Sequence, residues 1–484
     1  MRYNGDTVKR KAGWSCKNAE KLDVKYKVQW EKKESMETKL EKRYGLVTAI
    51  AMVVGIVIGS GVFFKAEKIL NATGGNLPLG ILAWVIGGLI MVTCAYTFAV
   101  MATKYEKVNG VVDYAEAAAG KQYGYYVGWF LAILYYPNLT CVLAWVSARY
   151  TCVLLGWDIT GGPCMVIAGL YLICSFGLNA LSPVLSGKFQ VSTTIIKLIP
   201  LLLMAVVGTI VGLRSGMTVR NFTNVVEETG DTATLLFTAV VASAFAYEGW
   251  IIATSINSEL KDSKKNLPRA LLLGTLIIMG VYILYYIGLA GAVSNEVMMA
   301  GGEEGAKLAF ETVFSEAAGT IIFVIVVISC LGTLNGLMLG CTRGMYALAA
   351  RKEGPRPELF GSVDKATNMP SNSAIFGLLL CGFWLFYFYG SNLAGPWFGP
   401  FSFDTSELPI VTLYAFYIPV FILMMKKEKD LNVFKRFVMP SLAILGCIFM
   451  IVAACFAHRM AVVYYLIIFA AVMAIGIFIG KSRS

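Results

Sequence analysis

Four short segments place helix-weakening or ionisable residues inside apolar runs, and their chemistry belongs to the backbone as much as to side chains. In VVGIVIGSGVFF, Gly55, Gly59 and Gly61 surround Ser60. Such spacing weakens a helix and leaves N–H and C=O groups without helical partners. Two readings stay open: Gly55 and Gly59 form a GxxxG pair for close helix packing, or the helix breaks over Ile58, Gly59, Ser60 and Gly61 and offers N–H groups to an anion. In FAYEGW, Glu248 and Gly249 stand among Phe245, Ala246, Tyr247 and Trp250. A carboxylate facing lipid is costly, so Glu248 must face a cavity, find a partner or carry a proton. Its role is either that of a structural carboxyl bonded to a neighbouring helix or that of a substrate-recognising or proton-dependent gate.

Lys197, in STTIIKLIPLLL, sits deep in another apolar run. It either bridges carbonyls of the interrupted first helix, as a bound cation would, or snorkels and pairs structurally. In SCLGTLNGLMLG, Ser329, Thr333 and Asn335 lie beside Gly332 and Gly336. These polar groups serve as interhelical hydrogen-bond partners or line a substrate route.

The elements that must position these residues follow from composition. Of 484 residues, 57% are hydrophobic and 15% charged, whereas a soluble chain carries about 25% charge. The first 45 residues already use 20 of the 71 charged side chains, so lipid must cover much of the remainder. That basic segment, 13 Lys or Arg against 7 Asp or Glu, reads as a cytoplasmic tail, disordered or at the membrane surface. It lacks the short basic region and brief apolar run of a secretory signal. One histidine and scattered cysteines, eight of which (Cys94, Cys141, Cys152, Cys174, Cys330, Cys381, Cys447 and Cys455) lie within apolar runs, exclude a zinc cluster or dense disulfide framework.

A bilayer core of about 30 Å needs roughly 20 apolar residues per helix. Twelve stretches satisfy this: 46–70, 79–102, 123–154, 162–183, 190–213, 233–256, 270–290, 318–349, 373–390, 408–425, 437–457 and 460–480. The last two, separated only near His458 and Arg459, are alternatively one long helix. An inside N-terminus puts 33 of the 41 Lys and Arg on the cytoplasmic face, including the segments Lys261 to Arg269, Arg351 to Lys365, Lys426 to Arg436 and the terminal KSRS. The acidic stretches Glu227 to Asp231 and Glu296 to Glu316 then lie outside. Between the second and third spans, Val111, Val112, Ala115 and Ala118 form an apolar stripe beside Asp113 and Glu116, predicting a short interfacial helix in place of a plain loop.

Spans one and six, the Gly-interrupted ones, are five apart. Two five-helix units of opposite orientation bring such half-helix ends together near the midplane. The division is then a tail at 1–45, a first repeat at 46–213, a second at 233–425 and a peripheral pair at 437–480. The N–H end at Gly59 to Gly61 suits a carboxylate, and carbonyls near Ala244 to Tyr247 suit an ammonium. A ligand with both groups adjacent is an α-amino acid.

At these residues the chain resembles the amino acid, polyamine and organocation permease superfamily, most closely its L-type amino acid transporter branch, including bacterial serine/threonine exchangers. The resemblance runs from about residue 40 to 480. It rests on IGSGVFF at Ile58 to Phe64, FAYEGW at Phe245 to Trp250, SELKDSKKNLPRA at Ser258 to Ala270, GTLNG at Gly332 to Gly336 and CTRGMYALAARKEG at Cys341 to Gly354. It implies an all-α polytopic membrane protein of twelve transmembrane helices, with a LeuT-like five-plus-five inverted repeat, broken helices 1 and 6, and two peripheral helices. By the same resemblance, backbone at Gly59 to Gly61 is the carboxylate site, backbone at Phe245 to Tyr247 the amino-group site, and Phe245 or Tyr247 the aromatic cover. Lys197 matches the lysine that takes the place of a sodium ion in sodium-independent members. Glu248 departs from the Asp, Gly or Ala that members often carry there, and the tail is longer than the resemblance needs. Animal members pair with a glycoprotein through an extracellular cysteine; Cys164 reads as buried, so no glycoprotein heavy chain is expected.

The expectation is a secondary transporter in the plasma membrane for small or medium neutral L-amino acids, without cofactor or metal. It would work by sodium-independent exchange or by facilitated or proton-influenced alternating access. A cationic amino acid or polyamine permease is the alternative that Glu248 and the acidic outer segments encourage. An amino-acid sensor on the same scaffold is the alternative of another class. No HExxH, nucleotide loop or serine–histidine pair supports an enzyme, nor a Walker sequence an ATP-driven pump. Nothing points to nucleic acid, and the oligomeric state is unreadable because lipid-facing helices look alike with or without a neighbour.

Overall fold

The computed structural model describes residues 45–59, 61–105, 110–225, 231–250, 260–364, 367 and 369–481. The basic tail short of Gly45, Ser60, residues 251–256 of the sixth apolar stretch, 227–230 of the outer acidic stretch, Ser258 and Glu259 of SELKDSKKNLPRA, Lys365, and the last three residues of KSRS lie outside it.

The described residues are helical, with no β-strand among them. The first apolar stretch makes two short helices, α1 (Leu46–Val57) and α2 (Gly61–Ala72). Then come α3 (Leu77–Lys104), α4 (Val111–Ala119), α5 (Lys121–Leu155), α6 (Gly162–Leu181) and α7 (Leu185–Ser215). The second half holds α8 (Thr232–Tyr247), α9 (Ser263–Ala292), α10 (Asn295–Gly301), α11 (Glu303–Phe314), α12 (Glu316–Ala350) and α13 (Ser371–Leu393). The chain ends with α14 (Leu408–Lys427), α15 (Phe434–His458) and α16 (Met460–Gly480). Among the described residues ten helices are long and apolar enough to cross a bilayer, with two shorter apolar ones, Leu46–Gly55 and Thr232–Tyr247, at the interrupted positions. The chain is therefore an all-α polytopic membrane protein.

Local chemistry sets the boundaries. The Asn76 Oδ1 accepts the Leu79 N–H at 3.0 Å and starts α3 with a proline in its first turn. Gly156, with φ of +68°, ends α5 in the left-handed conformation. Arg459 has φ of +47°, which breaks the helix after His458, so α15 and α16 are two helices and the single long helix is excluded.

The segment after α3 forms the expected helix, α4, and its buried face is not purely apolar. Asp113 and Tyr114 are buried along with Val111, Ala115 and Ala118, while Val112 is only half-buried. The Asp113 carboxylate is drawn in because Arg351, at the end of α12, pairs with it and with Glu116 at 2.8 Å. Helix α15 packs on α3, α8 and α14. By contrast α16 is the least buried of the ten long helices.

Candidate functional site

Helix α1 stops at Val57, and Ile58 is extended with ψ of 110°. Helix α8 stops at Tyr247: Glu248 is extended with ψ of 156°, and Gly249 turns through φ of +105°, a conformation that favours glycine. Helix α1 thus gives way to α2 within the first apolar run, and α8 ends at Tyr247. Close packing holds as well. A Cβ on Gly55 would lie 2.4 Å from the Thr194 side chain, one on Gly59 2.7 Å from Thr333 Oγ1, and one on Gly61 2.6 Å from the Ala246 Cα. Gly61 thus lets the two broken helices touch backbone to backbone.

The carbonyls released where α1 ends find side-chain donors. Lys197 Nζ donates to Gly55 O at 2.5 Å, and the lysine is buried at 3% exposure. The hydroxyl of Tyr282, on α9, lies 3.3 Å from Val57 O and 3.0 Å from Ala246 O, so one phenol joins both interruptions. Sequence reasoning missed Tyr282, since nothing local distinguishes it from the other tyrosines of its helix. Of the carbonyls expected to meet an ammonium, Ala246 O therefore has a partner already, whereas Phe245 O holds only a weak 3.5 Å contact from Glu248 N–H.

A cavity of about 260 Å³ lies at these ends. Gly59, Gly61, Lys197, Phe245, Ala246, Glu248 and Gly249 all line it. It falls just below the roughly 300–1,000 Å³ of sites for drug-sized ligands, which suits one amino acid. Glu248 Oε1 is buried and has no hydrogen-bond partner, while the Tyr135 hydroxyl and the Gly249 N–H face the carboxylate. Three of the residues expected at the site are elsewhere. Ile58 is buried outside the lining. Tyr247 is fully buried, donates its hydroxyl to Trp84 O at 2.8 Å and stacks on Tyr282, so of the two aromatic candidates only Phe245 faces the cavity. Asn335 is tied to Asn179, Ser186 and Gln190 in a buried polar knot joining α6, α7 and α12. It reaches the lining only through Gln190, as an interhelical hydrogen-bond partner; Thr333, from the same motif, does line the cavity.

Tyr135 and Tyr136 also line the cavity and were not anticipated. Pro137 carries no N–H, so Ile133 O loses its helical donor and accepts Trp384 Nε1–H at 3.2 Å. Residues Leu131–Tyr135 widen into a π-helical turn at this point. The signal was YYPN within a span, a proline where a helix is otherwise continuous.

The two ends of the cavity differ. Toward α4 it continues into a recess of about 290 Å³ that shares Val111, Leu131, Tyr136 and Leu337 with it and runs down α12 to Arg343 and Arg351. On the Phe245 side a row of aromatic rings packs over it. The Phe245 ring packs edge-on against Phe64, and Phe64 likewise against Trp145. Above them Lys65 Nζ, 2% exposed, lies 5.1 Å from the Phe64 ring centre and 5.2 Å from that of Phe245, and pairs with Glu407 at 2.6 Å. Nearby, Arg149 pairs with Glu303 at 2.6 Å. No group of three His, Cys, Asp or Glu side chains suited to a metal occurs among the described residues. Cys164 is fully buried.

Known proteins are similar to this chain over most of its length. The serine/threonine exchanger SteT of Bacillus subtilis (strain 168) is 29% identical over 419 residues, which is 85% of this chain and 91% of SteT. The human large neutral amino acids transporter small subunit 2 is 26% identical over 381 residues, 74% of this chain and 69% of that one. The human cystine/glutamate transporter is 22% identical over 341 residues, 70% and 67% of the two chains. The profile of the amino acid permease family matches residues 44–479, which is nearly the whole membrane region, and the chain belongs to that family.

Proposed function

We propose that this chain moves small or medium neutral L-amino acids across the plasma membrane by sodium-independent alternating access, in a state here open toward α4 and closed beyond Phe245. The observation that carries the reading is the cavity at the two helix interruptions. The N-terminal end of α2 and the C-terminal end of α8 meet there, which suits the carboxylate and ammonium of one zwitterion. Lys197 on Gly55 O supplies a fixed positive charge where a bound cation would otherwise be needed, which supports independence from sodium. The serine/threonine exchanger among the relatives supports small neutral substrates and exchange.

The finer architecture belongs to the same proposal. Helices α1 to α7 form the first inverted repeat (46–213), helices α8 to α14 the second (233–425), and α15 and α16 (437–480) the remaining pair, giving twelve spans when the two interrupted helices are counted. The Lys- and Arg-rich segments support a cytoplasmic side for the termini and the α4 recess.

A second reading draws on one observation: the partnerless Glu248 oxygen in the cavity suits a cationic side chain. Purified protein in proteoliposomes preloaded with unlabelled serine should take up labelled serine with sodium or with choline outside. Serine, threonine and alanine should compete better than lysine or arginine. The reverse order replaces the neutral reading with the cationic one, and no uptake of any amino acid favours a sensor.

A further inference from the structure

His458 is the only histidine in the chain. It is the last residue of α15, and its Nε2 lies 3.1 Å from Glu407 Oε2. The other carboxylate oxygen, Oε1, takes Lys65 Nζ, which also lies 3.3 Å from Ser406 Oγ. A chain of charge-bearing groups therefore runs from α15, through the residue preceding α14, to α2, and ends over the Phe245 ring that closes the cavity. If that end opens by α2 and the end of α8 parting from α14, the ion pair breaks or is dragged along. A carboxylate held at only one oxygen can swing with the lysine. Held at both, it stays with α14 and α15, and the lysine must leave it. Helix α15 packs directly on α8 as well, so its position and that of the closing ring are linked through two contacts.

We propose that His458 is a positioning residue that pins the Glu407 carboxylate over Lys65, so that the eleventh span sets how readily the Phe245 end of the cavity opens. This rests on the transport reading above, and its test is chosen to be independent of transport. Leu143 lines the cavity on α5, two residues before the Trp145 that packs on Phe64. In sealed proteoliposomes, a membrane-impermeant maleimide applied from the Lys65 side reports opening through the labelling rate of a Leu143→Cys protein, with the unsubstituted chain as blank. His458→Leu removes the Nε2–H donor and should raise that rate about tenfold, the size of one lost charge-assisted hydrogen bond. His458→Gln, whose amide N–H can still reach the carboxylate, should stay within about twofold of the parent. His458→Asn, one methylene shorter, should behave like the leucine variant and replaces it if that variant does not fold. Glu407→Gln should label at least as fast as His458→Leu. Parental labelling in the leucine and asparagine variants, or a glutamine variant as fast as either, overturns the proposal. A protein that follows the expected labelling pattern yet moves no amino acid overturns the transport reading alone.

Discussion

Removing the Lys197 ammonium tests the logic of the site most directly. Gly55 O has lost its helical donor because α1 stops at Val57, and Lys197 Nζ replaces it at 2.5 Å. Both groups are buried. A hydrogen bond from a charged donor contributes about 1.5–3 kcal/mol, and each 1.4 kcal/mol is a factor of ten in an equilibrium. Lys197→Met keeps much of the side-chain length and removes the charged donor, so the state in which α1 is tied to α7 should lose roughly 10- to 100-fold in relative population. Exchange needs every state of the cycle to be visited, and a shift of that size should cut serine counterflow at least tenfold. The assay is initial uptake by proteoliposomes preloaded with serine, at matched protein content, with sodium or choline outside. Wild type should be indifferent to the cation, and Lys197→Met should be slow in both. Counterflow by Lys197→Met within twofold of wild type, or wild-type uptake that collapses in choline, refutes the reasoning.

Replacing Gly61 by Val should abolish serine binding in a scintillation proximity assay, but the structure gives the effect two causes, because the new Cβ would meet Ala246 Cα at 2.6 Å as well as the ligand space; unchanged affinity contradicts both. Tyr282→Phe deprives Ala246 O and Val57 O of their shared donor, and should cost about 1–3 kcal/mol of stability, read as a lower melting temperature in detergent, with wild-type melting counting against the bridge. Phe245→Ala opens the lid of the cavity and should raise the KM for serine, whereas Tyr247→Phe, outside the lining, should leave KM within about twofold; equal effects would show the cover to be misassigned. Glu248→Gln should keep serine binding and flatten the dependence of uptake on pH if that carboxyl titrates during the cycle, and superimposable normalised curves reject such a role.

The sequence alone determined what depends on local cost. Burying backbone without partners, or charge without cover, is expensive at any position in a bilayer, so apolar length marked the helices and the glycines marked where α1 and α8 end. Lys197 and Glu248 stood out for the same reason, and both line the cavity. Rotation about a helix and pairing across long separations are different matters. At 3.6 residues per turn, Phe245 and Tyr247 lie about 200° apart, so one helix cannot present both to the same cavity. Which of them faces it was decided by Trp84 and Tyr282, packed around Tyr247 from α3 and α9. Asn335 and Thr333 divide in the same way, one into the polar knot and one into the lining. Lys65 and Glu407 stand 342 positions apart, and neither neighbourhood signals the other. A buried ion pair is affordable only once the two groups meet with the right geometry, and that geometry is a property of the assembled bundle. The tertiary structure therefore decided which end of the cavity is closed and that the lone histidine stands at its latch.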